Sequence, residues 1–268
     1  MLIDIIPRML VGGTLAGVAA GHAARKRQLT LGGEYAAFGV GTAAAVGGVG
    51  WLLSLAVFFY SSVLFTRWRA GDKRHRSRSV LPGTRARDAW QVLANGGLFA
   101  LAAIVWALTG WWQAGLFGFG ALAAATADTW ATELGMALTA APRSLRTFQR
   151  VVPGTSGAVS THGTAAAVVG AFVMALCAVA SFTVPFDIPR LEAVFAGGIV
   201  GALADSVLGA TVQSVRWCDE CAEWTERRVH TCGYRSHHRK GLRWMTNDVV
   251  NLLATAVGGV TAIFAWLP

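Results

Sequence analysis

Between Tyr35 and Phe65 the chain runs for 31 residues without a charged side chain. A helix rises about 1.5 Å per residue and a bilayer's hydrocarbon core is about 30 Å thick, so roughly 20 apolar residues cross it once. The stretch is too long for one upright span and too apolar for water. Gly47-Gly48-Val49-Gly50 offers a break near its middle, which makes it a hairpin of two helices. The alternative, one long tilted helix, would reverse the sidedness of everything before it. Further apolar segments at about 9–23, 88–109, 112–135, 158–182, 190–213 and 247–267 bring the expected number of helices to eight. Only 14% of residues are charged, against about 25% in soluble domains. The expected fold is all-α: a polytopic transmembrane helical bundle, 1–268 forming a single integral membrane domain.

The net charge of +9 could suggest nucleic acid, because basic patches bind phosphate backbones. The placement of the cations argues otherwise. Of 23 Lys and Arg, all but Arg8 and Arg190 fall in four loops, at 25–27, 67–87, 143–150 and 216–243. Each loop follows an odd-numbered helix, which is the positive-inside pattern, so all four should be cytoplasmic. No nucleic-acid partner is expected. Arg25-Lys26-Arg27 follows the first apolar run instead of preceding it, unlike a cleavable signal, so that helix should be retained.

Polar residues gather at the same edge. Asp128 and Glu133, in Ala127-Asp128-Thr129-Trp130-Ala131-Thr132-Glu133, end an apolar run that begins near Trp111. Ionised acids at such depth are costly and usually line a cavity. Asp88, Gln91 and Asn95 share one helical face, as do Asp205, Gly209 and Gln213. Asn247 and Asn251 lie one turn apart with Asp248 beside them. Between these helices, Gly154-Thr155-Ser156-Gly157 leads to Ser160, Gly163 and Thr164. Closely spaced glycines and hydroxyls before a helix N-terminus suit an anion. Asp88 to Asp128 spans 40 residues and Thr164 to Asp205 spans 41, and Ala204-Asp205-Ser206 echoes Ala127-Asp128-Thr129. The two halves read as related hairpins, an internal duplication. Five acids at one edge beside a phosphate-binding loop call for a cation. Oxygen ligands favour Mg²⁺, and the combination suggests phosphoryl or nucleotidyl transfer.

Cys218, Cys221, His230 and Cys232 stand as C-x2-C-x8-H-x-C in the 214–243 loop. In a reducing compartment four such ligands read as a structural zinc clip, with no open position for catalysis. Cys177, inside a helix, reads as packing.

These motifs, with Gly83-Thr84-Arg85, Gly96-Gly97, Leu134-Gly135, Gly209-Ala210-Thr211 and Leu29-Thr30-Leu31-Gly32-Gly33, resemble the integral-membrane family of domain of unknown function 92 over nearly the whole chain. That family includes transmembrane protein 19 and the plant phytyl-phosphate kinase. The resemblance implies a kinase using a nucleoside triphosphate, CTP above all, on an isoprenoid monophosphate. Asp128, Glu133 and Asp205 would hold Mg²⁺. Arg85 and Arg87, with the 154–164 loop and Gln213, would cradle phosphate. Asp88, Asn95, Asn247 and Asn251 would position metal, water or substrate. One departure stands at Ala158, where the family pattern leads us to expect glycine. The lipid partner would enter from the bilayer and the nucleotide from the cytoplasm, in the plasma membrane of a prokaryote. The rival readings are a transporter of a small or anionic substrate and a nucleotidyltransferase forming a CDP-lipid.

Overall fold

The computed structural model describes residues 5–71, 73, 86–138, 141–181 and 188–266. Among them, eight long helices form the bundle: α1 (Ile5–Arg25), α2 (Leu31–Gly47), α3 (Val49–Arg67), α4 (Ala89–Thr109), α5 (Trp112–Leu138), α6 (Thr161–Ala180), α7 (Ile188–Thr211) and α8 (Asn247–Trp266). Five of these, α3, α4, α6, α7 and α8, are long and apolar enough to cross a membrane. Helix α2 is short, at 17 residues. Helix α5 is the hub, packed against α4, α6, α7 and α8. Its run from Ala114 to Ala127 is almost wholly buried in protein, which is why Gly, Ala and Thr replace the larger lipid-facing side chains there.

The uncharged 31-residue stretch is a hairpin. Gly48 breaks it at φ +127°, a conformation open to glycine and strained for other residues. The start of α2 lies beside Arg87, through Thr30 N donating to Arg87 O at 3.0 Å. The end of α3 lies beside the end of α5, through Thr66 Oγ1 donating to Glu133 Oε1 at 2.7 Å. Arg67 also reaches Lys26 O, at 3.5 Å, so the first two basic loops meet at one edge. A single tilted helix would hold those ends apart.

At the opposite end, Trp51 is fully buried against Phe99 and Phe119, each with ring centroids 4.8 Å away. Leu116, Leu122, Met174 and Val194 complete this apolar core. Cys177 packs against it, as expected of a packing residue. Gly110, at φ +70°, makes the left-handed cap between α4 and α5. Pro189 lies in the first turn of α7, where its missing N–H costs nothing, while Pro185 lies outside the described residues.

Two details depart from expectation. Helix α6 starts at Thr161 and not at 158, because Ser160 Oγ caps it by accepting from Gly163 N at 3.1 Å. Ala158–Val159 (β2) instead pairs antiparallel with Arg143–Ser144 (β1). The loop after α7 folds into a three-stranded antiparallel sheet, Glu223–Thr225 (β4) and His237–Lys240 (β5) flanking Val215–Cys218 (β3). Strands of two to four residues are too short for alternation to reveal them.

Candidate active site

One cavity of about 870 Å³ opens at the edge where the basic loops meet. The start of α4 gives it Asp88, Gln91 and Asn95, and the end of α5 gives it Asp128, Thr132 and Glu133. Gly154, Thr155, Ser156 and Gly157 of the loop, with Ser160, Gly163 and Thr164 at the head of α6, form a second wall. Asp205 from α7, Gln213 beyond it, and Asn247, Asp248 and Asn251 from α8 form the third. Arg87 lines the cavity, whereas Arg85 lies outside the described residues. Every other site residue expected from the sequence, the cysteine cluster aside, reaches this one space. From the polar edge the cavity continues along α1, α2 and α3 past Ala16, Val40, Leu52, Leu55 and Phe58. Val40 is ten residues beyond Thr30 at the edge, or about 15 Å along a helix, near the depth of a bilayer's middle.

Local geometry assigns these side chains different tasks. Asp88 Oδ1 caps α4 by accepting from Gln91 N at 3.1 Å, and Asn95 Nδ2 donates to Gln91 O at 2.9 Å. Asp88 is thus an N-cap as well as a cavity acid. Both Glu133 oxygens are engaged, Oε1 by Thr66 and Oε2 by Lys73 Nζ at 2.5 Å. Burial draws the Arg87 guanidinium below its usual range, opposed by the charge of Glu133. Asp128 and Asp205 differ from Glu133. Their charges act on each other, and Asp205 Oδ2 is buried with no hydrogen-bond partner among the described residues.

The 154–157 loop turns at Gly154 (φ +88°) and Gly157 (φ +69°). Thr155 N donates to Val152 O at 3.1 Å and Ala158 N to Thr155 O at 3.0 Å, so these two amides are taken inside the loop. The loop rests on α7: a Cβ at Gly157 would overlap the backbone of Ala210, and one at Gly209 would come within 3.0 Å of Gly157 N. Glycines therefore let the loop reach the helix that carries Asp205.

Sequence reasoning missed Glu226. It accepts from Ser156 Oγ at 2.6 Å and from Gln213 Nε2 at 2.7 Å, and Gln213 also donates to Ser156 at 3.0 Å. Arg216, Arg227, Arg228 and Arg243 join it on the cavity wall. No helical period marks these residues. The available signal was an acid set directly before two arginines in a cation-rich loop. Burial pushes the Glu226 carboxyl above its ordinary 4.5, against the hydrogen bond from Ser156, while the Asp248 charge adds to the push and Gln213 opposes it. The folded protein therefore keeps a proton on Glu226 where the unfolded chain has released it, and this group lowers stability as pH rises through that window. Glu226→Gln keeps an oxygen to accept from both donors. It is expected to melt above wild type at neutral pH and no higher than wild type at about pH 4, where the unfolded glutamate is also largely protonated. Identical melting temperatures at neutral pH would refute the raised value.

The four Cys/His ligand atoms, from Cys218, Cys221, His230 and Cys232, lie within 4.8 Å of one another beside the β3–β4 sheet. A backbone hydrogen bond from Tyr234, aided by His230, draws the Cys232 thiol down to about 7.

The family model described as integral membrane protein DUF92 matches residues 14–259. The chain is 34% identical over 225 residues to an uncharacterized membrane protein of Methanocaldococcus jannaschii, covering 82% of this chain and 77% of that one. It is 30% identical over 237 residues to Protein PGR of Arabidopsis thaliana, covering 79% and 81%. The chloroplastic Protein VTE6 of the same plant is 26% identical over 136 residues, covering 51% of this chain and 33% of VTE6. No solved structure matches. With a bundle of this plan and a family match across most of its length, the chain belongs to the DUF92 family of integral membrane proteins.

Proposed function

We propose that the protein is a membrane-embedded kinase that moves the terminal phosphoryl group of a nucleoside triphosphate, CTP above all, onto a phytyl-like isoprenoid monophosphate. The observation that carries this reading is the two-part cavity. Acids, hydroxyls and arginines line its edge, while its apolar branch runs between α1, α2 and α3 toward mid-bilayer depth. A prenyl chain suits the branch and its phosphate suits the edge. The similarity to VTE6 and the resemblance to the phytyl-phosphate kinase support the same reading. A transporter needs polar groups on both sides of the membrane, and here they collect at one edge. The basic loops favour a cytoplasmic edge, where the nucleotide is found, and we read the membrane as the plasma membrane of a prokaryote.

In transfer, an oxygen of the lipid monophosphate forms a bond to the terminal phosphorus as the bond from that phosphorus to its bridging oxygen breaks. Nucleoside diphosphate leaves and the lipid becomes a diphosphate. The monophosphate is already anionic, so no general base is needed. Asp128 and Asp205 fit Mg²⁺: both offer carboxylate oxygens, and one buried oxygen of Asp205 lacks a protein partner among the described residues. Bound there, Mg²⁺ would supply charge neutralisation between the two phosphate groups. Arg87, with Ser160 and Thr164, meets phosphate oxygens, while Ser156 donates its hydroxyl proton to Glu226 in a hydrogen bond. Asn95, Asn247 and Asn251 orient the lipid phosphate. Glu133, held by Thr66 and Lys73, anchors the end of α3 beside Arg87.

Purified protein given Mg²⁺, geranylgeranyl or phytyl phosphate, and CTP labelled either at the terminal phosphate or in the base distinguishes the rivals. Terminal label appearing in a lipid diphosphate is the expected result. Base label in lipid would establish the CDP-lipid reaction instead. Release of label only as free phosphate would end the kinase reading.

A further inference from the structure

The cysteine loop sits outside the bundle, yet its middle residues reach the cavity. Cys218 ends β3, Cys221 lies in the turn to β4, and His230 and Cys232 lie in the turn beyond β4. Cys218 Sγ is 3.6 Å from Cys232 Sγ, and His230 Nδ1 is 3.1 Å from Cys232 Sγ. Zinc–sulfur bonds of about 2.3 Å in a tetrahedron separate sulfurs by about 3.8 Å, whereas a disulfide brings them to about 2.05 Å. Three thiols also cannot all pair as disulfides within one chain. The other ring nitrogen of His230 faces Glu223 at 3.7 Å, the outer partner that metal-bound histidines usually have. Three thiolates and one imidazole, with ligand atoms all within 4.8 Å of one another, suit zinc among common cations.

What lies between the ligands matters most. Cys221 and His230 bracket Glu226, Arg227 and Arg228, which line the cavity. Glu226 is bonded there to Ser156 of the glycine loop and to Gln213 after α7. Backbone bonds from Ser236 N to Arg228 O and from His230 N to Tyr234 O tie this segment to the same small fold. A sheet of three short strands has little apolar core, and a cross-link at its tip supplies what packing does not.

We propose that Cys218, Cys221, His230 and Cys232 bind a structural zinc ion, and that this ion holds the Glu226–Arg228 segment against the wall of the cavity. The site is closed, with four protein ligands, so its role is positional and it takes no part in phosphate chemistry. It does not depend on which reaction the cavity performs.

Metal analysis of the full chain purified in detergent should find about one zinc per chain. Replacement by cobalt should give the visible ligand-field bands of a tetrahedral thiolate site. His230→Ala should lose most of the metal, while His230→Cys should retain it, because zinc accepts four thiolates. On the wild-type chain alone, ejecting the metal with a mercurial thiol reagent and then washing should speed amide exchange across 223–230 by about tenfold or more, with membrane helices unchanged. Protein that neither contains zinc nor takes it up would overturn the site. Unchanged exchange after metal removal would overturn the positional role.

Discussion

Asp205→Asn is expected to reduce the proposed phosphoryl transfer by about 10²- to 10³-fold, the usual cost of removing one group that stabilises developing charge in a closed site. The substitution keeps the shape of the side chain and deletes one negative charge. Asp205 faces the charge of Asp128 and has a buried oxygen without a partner among the described residues. Two like charges in a partly dry cavity repel when no cation lies between them. The variant should therefore fold at least as stably as wild type while losing activity, a combination that separates a catalytic loss from a structural one. Asp128→Asn should behave alike, and the double variant should be little worse than either single, as expected of groups that act as a unit. The readouts are transfer to lipid and melting temperature in the same detergent, with and without Mg²⁺. Added Mg²⁺ should raise the melting temperature of wild type and not of the double variant. Activity within tenfold of wild type in either single variant would remove that aspartate from the metal pair. Asp88→Asn provides the contrast: asparagine caps a helix as well as aspartate, so the cap to Gln91 N survives.

How much of this was legible in the sequence depended on the range of the interaction. Charge-free length and basic loops located the helices, the hairpin at Gly48 and the common edge, because lipid imposes those features on each segment separately. The cavity acids were legible for the same reason: an aspartate near the end of an apolar helix stands out wherever the helix is packed. Glu226 did not stand out. Its importance comes from contacts with Ser156, 70 positions away, and with Gln213, 13 positions away. Lys73 was similarly hidden among eight cations of the 67–87 loop, and only the fold brings it to Glu133. The grouping of Glu133 with Asp128 and Asp205 as metal ligands came with the family resemblance and with the acid-bearing motif that ends one apolar run. It could not anticipate that Thr66, from another helix, engages one of the two Glu133 oxygens. The backbone of the 154–157 loop was another such case. Its composition suggested amides wrapped around an anion, while the bonds from Thr155 N to Val152 O and from Leu145 N to Gly157 O, with the contact at Ala210, take part of that backbone into protein structure.

Gly201→Val is expected to destabilise the bundle more than any single change at the cavity. Helices α5, α7 and α8 meet through glycine: a Cβ at Gly201 would overlap Ala124 Cβ and come within 2.9 Å of Ala254 O. The neighbouring positions are similarly tight: a Cβ added at Gly197 would lie 2.5 Å from Gly258 O, one at Gly258 2.8 Å from Gly120 O, and one at Gly120 2.6 Å from Ala262 Cβ. Gly197 and Gly201 lie four residues apart on one face of α7, the small-residue spacing that lets helices approach closely in lipid. Backbone oxygens cannot rotate away as a flexible side chain can, so a valine must push helices apart. Overfilled cores cost typically about 1–3 kcal/mol, and a blocked helix–helix contact belongs at or beyond the top of that range. Activity should fall too, since α7 carries Asp205 one turn beyond Gly201 and α8 carries Asp248 and Asn251. Gly39→Ala is the matched control. A Cβ there meets nothing within 4 Å, and alanine in a helix interior is favoured over glycine by roughly 0.5–1 kcal/mol, so that variant should melt slightly above wild type. If Gly201→Val instead melts with wild type while Gly39→Ala behaves as stated, α7 does not pack against α5 and α8 through this glycine seam, and the depth at which Asp205 enters the cavity must be set by other contacts.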